Sequence, residues 1–220
     1  MPKIESFEKH SDEYDQWFDD HGELYAAELE VLRQLIPLDA KGLEVGAGSG
    51  KFAAPLGIKI GVEPSEKMAC KARARGVTII PGVAESLPFP EDCFDFVLMV
   101  TTLCFVDDPL KTFSEIFRVL RSAGEIIIGF VDRESELGQQ YFETKASSRF
   151  YCDATFFSAY EVQKHLQAAG FEITKTLQTL IHGEAPSLIL DGFGRGAFVA
   201  IKAEKVVREQ GMHGVAERRG

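Results

Sequence analysis

Leu43-Glu44-Val45-Gly46-Ala47-Gly48-Ser49-Gly50 reads as a short buried strand that runs into a glycine turn. Glycine lets the main chain come close to a ligand and take backbone angles that a Cβ forbids. A second apolar run, 58–62, ends on Glu63, thirteen residues past Gly50. A carboxylate at the tip of the neighbouring parallel strand can accept both hydrogen bonds of a ribose diol. Together these features place a nucleoside-containing ligand across the carboxyl ends of a parallel sheet.

The glycine register narrows the ligand. Dinucleotide sites follow G-x-G-x-x-G, whose third glycine serves close packing of helix on strand. Counted from Gly46, that third position is Lys51, and the glycine comes one residue early, at Gly50. A pyrophosphate also needs a helix N-terminus behind it, and 51–56 offers barely a turn and a half that contains Pro55. Both points count against a nicotinamide- or flavin-dependent oxidoreductase. They suit a ligand that presents a small carboxylate and an amine.

Outward from this stretch, apolar runs at 42–45, 58–63, 77–81, 94–100 and 125–130 are continuous rather than alternating. That is the mark of strands buried on both faces. Helical periodicity is expected at 65–75, capped by Ser65, and at 109–120 with Pro109 in the first turn. Strands alternating with helices imply right-handed crossovers. The crossover at 46–58 is near the lower length limit for a parallel connection. Further helices are expected at 134–145 and 158–169, the latter closed by Gly170, and strands at 171–180 and 197–203. Phe7, Tyr14, Trp17 and Phe18 lie on one side of helical segments before Pro37.

The chain has 220 residues and a formal charge of −10. That length suits one domain. The charge argues against nucleic acid, whose phosphates require basic patches, and against an electrostatic membrane anchor. No apolar run reaches the roughly 18 residues of a membrane span, and Met1 to His10 carries no leader pattern. A cytoplasmic protein is expected. Cys70, Cys93, Cys104 and Cys152 form no C-x-x-C pair, so neither a metal site nor disulfides are expected.

L-E-V-G-A-G-S-G at 43–50 is followed by G-V-E-P-S-E-K-M at 61–68 and A-E-S-L-P-F-P-E-D-C-F-D-F-V-L-M-V at 84–100. D-D-P at 107–109 and V-L-R-S-A-G-E-I-I-I at 119–128 complete the series. In this order and spacing the pieces resemble the class I S-adenosylmethionine-dependent methyltransferases, nearest the small-molecule, ubiquinone-biosynthesis-like group. The resemblance covers roughly 40–130. It implies an α/β fold: a three-layer α/β/α Rossmann-like domain on a mostly parallel seven-stranded sheet, order 3-2-1-4-5-7-6, with an antiparallel edge. Within one domain, 1–220, it suggests cap helices (1–37), a cofactor-binding core (38–130), a lid insert (131–157), a C-terminal helix and strands (158–205) and a tail (206–220).

The implied cofactor is S-adenosylmethionine, and the implied reaction is methyl transfer to a nitrogen, oxygen or carbon of a small molecule. By resemblance, Gly46, Ala47 and Gly48 approach the methionine portion, and Glu44, one residue before the turn, orients the loop amides or meets the cofactor's ammonium through water. Glu63 takes the ribose, and Pro64 and Met68 flank the adenine. Val83, Ala84 and Glu85 meet the adenine edge; relatives often carry Asp or Asn where Val83 stands, which leaves Glu85 as a substitute contact. Val100 and Thr101 border the methionine end, and Tyr14 reaches its carboxylate. Each of these has a plainer reading: a strand-end turn, a solvated acid, an aromatic stripe that docks a helix. Cys104 has no basic neighbour to activate it and reads as packing.

For an acceptor's proton, Asp132 and Tyr151 are the candidate catalytic groups, with Arg133, Tyr141, Asp153 and His182 behind them. Asp132 also fits a helix-capping role. The aromatics Tyr141, Phe142, Phe150, Tyr151, Phe156 and Phe157 suggest an apolar lid able to hold a cationic amine. A non-catalytic S-adenosylmethionine-binding regulatory domain is the alternative, and neither the acceptor nor the oligomeric state is legible.

Overall fold

A computed structural model describes residues 3–206, so the expected tail lies almost wholly outside the described residues. The chain begins with α1 (Glu5–Lys9), α2 (Ser11–Asp20) and α3 (Gly22–Arg33). The core follows as β1 (Gly42–Val45), β2 (Ile60–Val62), α4 (Glu66–Ala74), β3 (Thr78–Ile80), β4 (Phe94–Val100), α5 (Pro109–Val119) and β5 (Leu120–Val131). It closes with α6 (Glu136–Thr144), α7 (Ala159–Ala168), β6 (Phe171–Ile181), β7 (Leu190–Asp191) and β8 (Gly196–Lys205).

The sheet order is β3-β2-β1-β4-β5-β8-β6-β7. β1 to β5 are mutually parallel, and β8 runs antiparallel between β5 and β6. This is the expected order with one strand added. β7 is two residues long and pairs with the outer edge of β6. Strand order reverses at β1, with β2 on one side and β4 on the other, which opens a crevice at the carboxyl ends of the strands.

The helix starts expected after β2 have their physical cause in place. The Ser65 hydroxyl accepts from the Met68 amide, and Asp108 caps α5 ahead of Pro109. Ser158 and Glu161 form a reciprocal capping box on α7. Between β1 and β2 there is no helix: 51–57 forms only turns, as Pro55 requires. β5 starts five residues before the apolar run suggests. Phe94 pairs with Leu120 and Phe96 with Glu125, so the intervening residues bulge out around Ala123, whose φ is 57°.

Along β4 the buried side chains alternate between two cores. Val97 and Met99 join Phe113 and Ile116 of α5 and Val162 and Leu166 of α7. Phe96, Leu98 and Val100 join Leu32 of α3 and Ala69 and Ala72 of α4. Each fully buried Leu, Ile or Phe contributes about 1.5–3 kcal/mol, so packing on both faces anchors the sheet beneath the crevice. The cap helices are fastened to this core by polar contacts. Asp15 pairs with Arg75 at 2.6 Å, Asp12 with Lys71 at 2.6 Å and Asp19 with Lys51 at 2.8 Å. The Ser65 hydroxyl donates to Glu8 at 2.7 Å.

Candidate active site

A cavity of about 740 Å³ opens over the carboxyl ends of β1, β2 and β4, within the roughly 300–1,000 Å³ range of small-molecule sites. Its floor is the glycine turn. Gly46 and Gly48 have φ of +71° and +53°, a backbone that L side chains rarely adopt. A Cβ at Gly48 would meet only the Met68 methyl at 3.5 Å, so the space above that residue is open. Gly50 serves a different end: a Cβ there would stand 3.1 Å from Ala72, so this glycine lets α4 pack against the loop. The loop is hung on β2 by the Gly46 and Ala47 amides, which donate to the Val62 carbonyl at 2.9 and 3.0 Å.

Glu63 stands at the end of β2, 8% exposed, on the cavity wall. Its two oxygens accept from the Gly48 and Ser65 amides, each at 2.8 Å. Burial pushes the carboxyl up and these two bonds oppose the rise. Pro64, Met68, Val83, Ala84, Glu85, Val100 and Thr101 all line the same cavity. One Glu85 oxygen already accepts from the Asp107 amide at 2.7 Å, which pins the loop ahead of α5. Thr101 has φ of 47°. For a β-branched residue that is a strained backbone, held by the hydrogen bond that its N–H donates to the Gly129 carbonyl at 2.8 Å. Thr102 donates to the Val100 and Gly46 carbonyls and so ties β4 to the glycine turn.

The roof is aromatic. Tyr14, Trp17 and Phe18 of α2 line it with Phe105, Tyr141, Phe150 and Tyr151. Tyr151 stacks on Tyr141 at 5.4 Å and on Phe105 at 6.1 Å between ring centroids. Tyr14 packs edge-on against Phe7, Phe18 and Phe150 and has the Thr101 side chain as a hydrogen-bonding neighbour. Burial raises the phenols of Tyr14 and Tyr151 above their ordinary range.

Three expected site residues lie elsewhere. Glu44 is 1% exposed beneath the glycine turn and does not line the cavity. Burial lifts its carboxyl well above the ordinary range while the Ala53 amide donates to it. Ala47 also faces the core, 5% exposed among Phe52, Ala69 and Ala72. Asp132 is 2% exposed, outside the cavity wall, and its Oδ1 accepts from the Glu134 amide at 3.0 Å and the Ala159 amide at 3.2 Å. Those bonds knit the end of β5 to the start of α7, the capping role of an aspartate. Cys104 donates to the Thr101 carbonyl, and burial pushes its thiol up to about 12. His182 pairs with Glu136 and Arg133 with Glu161, both outside the cavity wall.

Residues 43–128 match the family model of the methyltransferase domain. A protein of Thermotoga maritima, described as a SAM-dependent methyltransferase and possible histamine N-methyltransferase, superposes with a TM-score of 0.88. It is 46% identical, and the alignment covers 92% of this chain and 100% of that one. The chain belongs to the S-adenosylmethionine-dependent methyltransferases. A Methanocaldococcus jannaschii relative of this methyltransferase is 45% identical over 203 residues, 91% of this chain and 98% of its own. The malonyl-[acyl-carrier protein] O-methyltransferase of Herminiimonas arsenicoxydans is 31% identical over 155 residues, 67% of this chain and 58% of its own. S-adenosylmethionine is the cofactor of the methyltransferase, and the cavity floor fits it. The space over Gly48 is open, and a buried carboxylate stands at the end of β2.

Sequence reasoning passed over Glu28 of this methyltransferase. Its carboxyl is on the cavity wall, 6% exposed, and burial pushes it up to about 8. The available signal was an acid on an otherwise apolar helical stripe: Leu24, Glu28 and Leu32 fall at i, i+4 spacing. Phe105, in the short helical turn after β4, was likewise passed over as a wall residue. Among the described residues no helix is long and apolar enough to cross a membrane, and no cluster of His, Cys, Asp and Glu could hold a metal.

Proposed function

We propose that this methyltransferase acts on a small-molecule acceptor, attacking through nitrogen, oxygen or carbon. The observation that carries the reading is the two-part cavity. Its floor is glycine backbone and a buried carboxylate, and its roof is a set of aromatic rings drawn from α2, α6 and 105–151. A macromolecular substrate would need an open groove, whereas this roof suits a compact acceptor with apolar parts.

In this reading Gly46 and Gly48 let main chain meet the methionine portion of the cofactor, and Tyr14, Val100 and Thr101 border it. Glu63 takes the ribose hydroxyls through charge-assisted bonds. Pro64 and Met68 pack on the adenine faces while Val83, Ala84 and Glu85 meet its edge. When bound, S-adenosylmethionine supplies a methyl group already activated on a sulfonium. The chain's own part is to align the acceptor and keep water out, which positioning and apolar walls accomplish. Tyr151 and Tyr141 are placed to do the second. The Thermotoga protein's description as a possible histamine N-methyltransferase lends weight to nitrogen among the attacked atoms.

An acceptor panel of amines, phenols and quinol precursors, read by S-adenosylhomocysteine release, tests the proposal. Turnover with a small acceptor is expected. Tight S-adenosylmethionine binding with no turnover across the panel would favour a regulatory binding protein instead.

A further inference from the structure

Glu28 is unlike the other acids of the cavity wall. Glu63 is held by two amides and Glu85 by the Asp107 amide. Asp108 caps α5, and Glu13 pairs with Arg149 and His10. Glu28, 6% exposed, has neither a hydrogen bond nor an ion pair among the described residues, and burial is the sole influence on its carboxyl. The groups that feel it are phenols: Tyr14 of α2, Tyr25 of α3, Tyr141 of α6 and Tyr151. The wall's two lysines do not act on it. Lys3 stands near Asp107 and Lys111 lies in the first turn of α5.

A buried acid without a partner is costly unless a ligand supplies one. On the reading that the cavity is a methyl-transfer site, we propose that Glu28 binds the ammonium group of the acceptor and takes a proton from it, so that the acceptor is a basic amine. An ammonium ion satisfies both features at once. It draws the buried carboxyl, largely protonated at pH 7 in the free protein, into its charged form through a charge-assisted hydrogen bond, and the surrounding phenol rings attract its charge. A neutral phenol or a carbon nucleophile gains only part of this. Nucleophilic nitrogen also requires its lone pair. The Glu28 carboxylate accepts one proton, the nitrogen regains its electron pair, and the proton passes to water once the product has left. Burial raises the proton affinity of this carboxyl, to about 8 in the free protein, and so makes the transfer less uphill than it would be to an exposed carboxylate.

The test is calorimetric titration of the full chain loaded with S-adenosylhomocysteine, using benzylamine and phenethylamine against benzyl alcohol and phenethyl alcohol. The parent is expected to bind the amines about tenfold more tightly than the alcohols, and Glu28→Gln to erase that preference. The variant should keep its S-adenosylhomocysteine affinity within about twofold, which also reports that it is folded. Equal binding of amines and alcohols by the parent would overturn the assignment while leaving the cofactor site intact. A variant that lost S-adenosylhomocysteine affinity but kept the amine preference would overturn it too, placing Glu28 on the cofactor's own amino group. A parent that bound neither S-adenosylmethionine nor S-adenosylhomocysteine would bring down the methyl-transfer reading, and this assignment with it.

Discussion

The floor and the roof of the cavity are built on different principles. The floor is main chain: a glycine turn suspended from the Val62 carbonyl, and a Glu63 carboxylate clamped by two amides. Its parts come from strand ends that the sheet holds rigid on both faces. The roof is side chain: rings from α2 and from the 105–151 region, touching edge to face and in stacks. Main-chain geometry admits few substitutions, whereas a set of packed rings can be exchanged for others of similar volume. A cofactor common to a family suits the first kind of construction, and an acceptor particular to one member suits the second.

The sharpest way to break this contrast is Glu63→Ala. S-adenosylmethionine affinity is expected to fall about 100-fold in calorimetry with the circular dichroism spectrum unchanged. An affinity within twofold of the parent would remove Glu63 from the floor. Tyr151→Ala addresses the roof. It removes two stacking contacts, and acceptor kcat/KM should drop about tenfold while cofactor affinity moves less than about twofold. Equal losses in both would mean that the two halves are not separable.

Protonation sharpens the comparison further. The Glu28 carboxyl titrates near 8 in the folded chain against an ordinary 4.5. Across that interval the folded state therefore holds the proton more tightly than the unfolded one. The stability it contributes is complete below about 4.5, declines as pH rises, and is lost above about 8. Glu44 is raised in the same direction, so the difference between parent and Glu28→Gln isolates Glu28. In denaturant titrations the parent should lose about 1 kcal/mol or more relative to the variant between pH 5 and pH 9. A flat difference would refute it. The smallest effect is expected from Cys104→Ser, which places a hydroxyl where a half-buried thiol was. Stability should fall by about 1 kcal/mol, with cofactor affinity the same as in the parent. A large loss of affinity would give the thiol a role beyond its hydrogen bond to the Thr101 carbonyl.

What the sequence made legible follows the same division. β1 and β4 have the bounds that their apolar runs predict, and Glu63 stands at a strand end as its spacing from Gly50 implies. Consecutive residues there share one element, so linear spacing translates into position. It fails in two ways. Glu44 and Ala47 sit within the motif, yet the pleat and the turn direct them into the core. Asp132 follows a strand but turns back to cap α7, a contact with a helix 27 residues away that spacing cannot reveal. Glu28 is the reverse case. It is distant from every motif and is brought to the wall by the docking of α3, so only the break in that helix's apolar stripe hinted at it. β7 is two residues long, too short to show any period.

The fastening of the cap has its own consequence. Asp12, Asp15 and Asp19 grip Lys71, Arg75 and Lys51 near the surface. Such pairs are weakened by dissolved ions, which hardly reach amide bonds inside a sheet. Brine would thus slacken the cover before the cradle, and the enzyme's grip on whatever lies between them carries an ionic adjustment screw.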